Sequence, residues 1–138
     1  MTSELRVDNL KGSTTGGSIN VLGEGTSATT NLQQGLLKCW VKFDGESTVA
    51  INDSFNVTTL NDNGTGDYDI QITNPFANEH YAAVTDNESH SGHLSMIYGE
   101  GATNGRYATD QFRTYIVETS GGVTDSNIVT NLLAGDLA

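Results

Sequence analysis

From Leu36 onward, apolar and polar residues alternate with the two-residue period of a half-buried strand. In Leu37-Lys38-Cys39-Trp40-Val41-Lys42-Phe43 the odd positions are apolar, and the even ones are Lys38, Trp40 and Lys42. Val49, Ile51, Phe55 and Val57 share the next apolar face, opposite Asn52, Ser54, Asn56 and Thr58. Tyr68, Ile70 and Ile72 then oppose Asp69, Gln71 and Thr73. Between these last two strands, Asn61-Asp62-Asn63-Gly64-Thr65-Gly66-Asp67 holds an Asn-Gly step, which supplies the positive φ values of a tight hairpin. The same alternation predicts strands over His80–Thr85, Gly92–Tyr98, Gln111–Glu118 and Ser126–Leu133, separated by stretches rich in Gly, Asn, Asp and Ser. No segment sustains a 3.6-residue period. The expected fold is all-β: an antiparallel, jelly-roll-like β-sandwich over residues 36–138.

Residues 1–35 read differently. Glu4-Leu5-Arg6-Val7-Asp8-Asn9-Leu10 has the pattern of one short strand, followed by Gly/Ser/Thr-rich stretches over residues 12–18 and 23–30. Those stretches lack the apolar surface that offsets backbone ordering. Leu5, Val7, Leu10, Ile19, Val21 and Leu22 punctuate them, the pattern of an extended arm that orders when laid along another subunit. The sequence therefore predicts an N-terminal arm over 1–35 attached to the sandwich.

Composition sharpens this picture. Of the chain's 138 residues, 18 are Thr, 13 Asn and 16 Gly, about a third together, which favours sheets and turns over helices. The net charge of −11, with ten acids and no Lys or Arg between Phe43 and Gly105, repels phosphate backbones and anionic lipid; nucleic acid and membrane insertion are not expected. The one cysteine, Cys39, shares the apolar face of its strand with Leu37, Val41 and Phe43 and reads as a small buried hydrophobe. Trp40 lies on the opposite face between two lysines. Burial of so large a ring is worth roughly 2–3 kcal/mol, so Trp40 is read as a subunit contact, with cover by a loop or the arm, or a ligand platform, as alternatives.

Candidate chemistry changes little. An EF-hand reading of the loop from Asn61 needs Glu at the twelfth position, where Ile72 stands. His90 and His93 point to opposite faces of an extended strand, so they are read as exposed histidines. Asp67 with Asp69, Glu79, and Asp86 with Glu88 lie in loops or on polar strand faces, without the split environments that acid–base catalysis needs. No nucleophile elbow, phosphate loop or zinc spacing is present. No catalytic residue, metal ligand or cofactor is expected, and no enzyme activity.

Three stretches, Lys38-Cys39-Trp40-Val41-Lys42-Phe43-Asp44-Gly45, Val49 to Val57 with its Ser54-Phe55-Asn56-Val57 ending, and Asp62-Asn63-Gly64-Thr65-Gly66-Asp67-Tyr68, together resemble a module of tail-fibre-like proteins of tailed, marine bacteriophages. The similarity covers residues 38–72 well and the C-terminus weakly; Cys39 stands where that module carries Ala, and the Leu132-Leu133-Ala134-Gly135-Asp136 ending is also a departure. The start, Ser3 to Leu10 with Gly16-Gly17-Ser18-Ile19, resembles the opening of cyanophage fibre-like and virion-associated chains. The resemblance implies a virion structural protein, assembled in the host cytoplasm. It would be a homotrimer or otherwise symmetric, joined to other virion proteins of tail or capsid through its arm, with host-surface attachment as a further role open to it. A short tail appendage and a capsid decoration protein both fit it. A carbohydrate-binding module with Trp40, Tyr98, Tyr107 and Tyr115 as its platform for a surface glycan is the reading from another class.

Overall fold

The computed structural model describes residues 4–15, 19–23, 27–33, 35–88, 92–97 and 108–138. They divide into two compact units, Met1–Leu36 and Leu37–Ala138. In the first, β1 (Asn20–Leu22) pairs antiparallel with β2 (Thr29–Asn31), and bonds from Gly23 N to Ala28 O (2.9 Å) and Leu32 N to Ile19 O (2.7 Å) close the hairpin at both ends. Alternation does not reveal this hairpin, because its strands are only three residues long. Glu4–Leu10, expected as a strand, forms none: it has no ladder partner among the described residues.

The second unit is a β-sandwich of two four-stranded antiparallel sheets, and the described residues contain no helix. One sheet runs β4 (Ala50–Phe55), β3 (Cys39–Asp44), β10 (Val129–Ala134), β7 (Ala82–Asn87); the other runs β5 (Val57–Gly64), β6 (Asp67–Ile72), β9 (Gln111–Glu118), β8 (His93–Ile97). The central strands make the core. Cys39, Val41 and Phe43 of β3 with Val129 and Leu133 of β10 face Tyr68, Ile70 and Ile72 of β6 with Phe112 and Ile116 of β9, all buried. Phe76 and Tyr81 close one end with rings stacked at 4.4 Å. Inside this core the Thr114 hydroxyl donates to Asn131 Oδ1 at 2.9 Å, tying β9 to β10 across the sheets.

Four expectations need correcting. Leu37 precedes the β3 ladder and is exposed, whereas Lys38, read as outward, is buried. Val49 to Val57 is not one strand: Asn56 takes φ +62° and turns the chain from β4 in one sheet to β5 in the other. Ile51 and Phe55, read as one core face, are both exposed on an edge strand: a register shift opposite Lys42/Phe43 sets Ile51 beside inward Phe43 and Phe55 beside outward Trp40. The expected hairpin between β5 and β6 forms, but its turn is Thr65-Gly66, with Gly64 and Gly66 at positive φ and Asn63 still within β5.

Candidate functional site

Because Cys39, Val41 and Phe43 turn inward, Trp40 of β3 projects from the outer face of its sheet, where it is half-buried. The register places Phe55 of β4 on one side of it and Leu132 of β10 on the other, with Val84 of β7 beyond Leu132. These four form a row across the full width of the sheet. Phe55 is 54% exposed, Leu132 37% and Val84 63%. The adjacent row is polar: Asp53, Lys42, Thr130 and Asp86. Sequence alone singled out Trp40; its three companions come from distant segments and are joined only by strand register.

The arm residues singled out with Trp40 are also on the surface. Leu5 is 74% exposed, Val7 and Leu10 are exposed, Val21 is exposed on β1 and Ile19 is half-buried. Arg6 pairs with Glu4 at 2.8 Å, fully in solvent. Within this unit Val21, Thr30, Asn31, Leu32, Gly35 and Leu36 line a shallow apolar depression of about 210 Å³.

A second feature was not legible beforehand. Glu46, Glu88, His93, Glu118 and Asp125 line an open cleft of about 670 Å³ at one end of the sandwich. These residues come from separate stretches of chain, so no spacing announces them. Asp125 is a structural acceptor, taking the Gly66 N–H at 2.7 Å and lying 2.7 Å from the Tyr68 hydroxyl, which is also 2.9 Å from Gly45 O. Burial, then the hydrogen bond to Asp125, pushes the Tyr68 phenol well above its ordinary pKa. Glu118 accepts from the Ser120 hydroxyl at 2.8 Å. Among the described residues, no three His, Cys, Asp or Glu side chains gather closely enough to hold a metal ion. His90, the other half of the histidine pair, lies outside the described residues.

Two of the carboxylates weighed for catalysis face one guanidinium. Asp67 forms a two-pronged ion pair with Arg113, and Asp69 lies 3.6 Å from the same guanidinium. The Asp67 hydrogen bond raises the Arg113 pKa further, so the guanidinium stays charged. Cys39 is fully buried, and burial pushes its thiol up to about 12; as a neutral thiol it is no nucleophile. Trp40 and Tyr115 project from opposite faces of the sandwich and cannot share one glycan platform, while Tyr98 and Tyr107 lie outside the described residues. Comparison with protein families, curated proteins and solved structures finds no match.

Proposed function

We propose that this chain is a structural component of a bacteriophage virion, a β-sandwich held in place by neighbouring subunits as a short fibre-like tail appendage and attached through its N-terminal arm. The observation that carries the reading is the apolar row Phe55, Trp40, Leu132 and Val84 on an outer sheet face. A free-standing monomer leaves that row in water, and a subunit contact removes it. The exposed apolar residues of the arm, Leu5, Val7, Leu10 and Val21, support the same reading. The phage assignment rests on the sequence resemblance of residues 38–72 and of the N-terminus.

Two measurements test it. Light scattering on the purified chain is expected to give a multimer, and Trp40→Ala a monomer at the same concentration. A wild-type monomer would remove the subunit contact, and an unchanged Trp40→Ala mass would remove Trp40 from it. Antibody labelling of phage particles is expected to mark the tail. Label on the capsid shell would replace the appendage by a decoration protein, and no label on any particle would sink the virion reading.

A further inference from the structure

The arm and the apolar row are two exposed apolar features of one chain, and we propose that they meet between copies: Glu4–Leu10 of one copy lies along the free edge of β4 in another, with Leu5 and Val7 against the Phe55 end of the row. This rests on the reading of the chain as a self-associating structural component and names the contact that holds it together.

Strand edges narrow the acceptor. A sheet edge offers unpaired backbone groups to an incoming strand. The edges β7 and β8 run beside each other, and β5 is polar and bulged in two places. Within the sandwich, among the described residues, β4 is the remaining edge, and it carries large exposed apolar residues, Ile51 opposite inward Phe43 and Phe55 opposite outward Trp40. Its Ser54 N–H is held by Asp53 Oδ1 at 2.8 Å, so side chains carry the seam together with the ladder. The lengths agree, since seven residues and six residues of extended chain each span about 20 Å.

Charge narrows the occupant. Row against row between two copies brings like charges together. Leu37–Ala138 holds fourteen acids and four bases, a charge of −10, whereas Met1–Leu36 holds Glu4, Asp8 and Glu24 against Arg6 and Lys11, a charge of −1. Asp44, Glu46 and Asp53 surround the β4 edge, and the arm brings Arg6 and Lys11 to it. Of the two parts of a second copy, the arm is the one that fits.

Cross-linking between full-length chains tests the pairing. A Val7→Cys chain is mixed with a Phe55→Cys chain under mild oxidation; native Cys39 stays out of reach in the core. The expected product is a mixed disulfide dimer, several-fold more abundant than from Val7→Cys mixed with Asn127→Cys, a position on the acidic cleft. Leu5→Cys serves as a second donor and is expected to give the same pattern. A dominant Phe55→Cys homodimer would put sandwich against sandwich and overturn the proposal. No product above the Asn127 control, in a chain that light scattering finds multimeric, would overturn the proposal and leave self-association standing. A wild-type chain that is monomeric at every concentration would overturn both.

Discussion

Asn56 holds the corner where the chain leaves one sheet for the other. Its φ of +62° is left-handed, a region that Asn tolerates better than any residue but Gly. Its side chain uses both ends there: Nδ2 donates to Lys38 O at 2.9 Å and to Asn74 O at 3.1 Å, and Oδ1 accepts from Asn74 N at 2.7 Å. The corner thus joins the start of β3, the end of β4 and the loop after β6. Asn56→Ala loses the amide and puts in the left-handed region a residue that tolerates it less well than Asn, an expected loss of about 3 kcal/mol. Asn56→Gly removes the amide but relieves the backbone, with an expected loss of about half that, on the order of 1–2 kcal/mol. Urea denaturation of the two variants separates amide from backbone; equal losses would mean that the backbone conformation costs nothing. In the sequence this residue sits among Asn-rich polar positions and reads as one more outward side chain. Only its dihedral angle distinguishes it.

The β5–β6 hairpin shows how a turn is chosen among several candidates. Gly66 has φ +67°, gives its N–H to Asp125 and its carbonyl to Ile116 N at 2.8 Å, and a Cβ there would lie 2.6 Å from both Ile116 O and Thr124 O. Gly64 has φ +126° but faces open space. Gly66→Ala is therefore expected to cost more than about 3 kcal/mol, combining strain with backbone displacement, and Gly64→Ala only about 1–2 kcal/mol of strain. Similar urea midpoints for the two would refute the close approach. The existence of this hairpin was legible from alternation and turn residues; the position of its turn was not, because Asn63-Gly64 carries the stronger local signal. The central strands were equally legible. In β6, paired on both sides, every apolar position that the pattern marks (Tyr68, Ile70 and Ile72) is buried. Edge strands break that inference. Ile51 and Phe55 alternate as a core strand does, yet alternation gives a period without saying whether either face is covered. The candidate surface shares this blind spot, since Phe55, Leu132 and Val84 become neighbours of Trp40 only through register.

At the scale of the whole molecule, net charge competes with the apolar contact. Two copies of charge −11 with centres about 30 Å apart repel by ~17 kcal/mol in unscreened water. Screening reduces this to ~6 kcal/mol at 0.01 M salt and below ~1 kcal/mol at 0.1 M. Local pairs between Arg6 or Lys11 and the acids near β4 are exposed, worth at most about 1 kcal/mol each, and salt weakens them too. Repulsion outweighs these pairs at low salt, so added salt strengthens association. Sedimentation equilibrium is expected to give a dissociation constant at least about tenfold lower in 0.1 M than in 0.01 M sodium chloride, consistent with several kcal/mol of relieved repulsion. A dissociation constant that rises with salt would mean that ion pairs lead the contact and the apolar row follows. Apolar burial keeps its strength as salt rises while repulsion and ion pairing both fade, so the sign of the salt dependence reports which force assembles this chain.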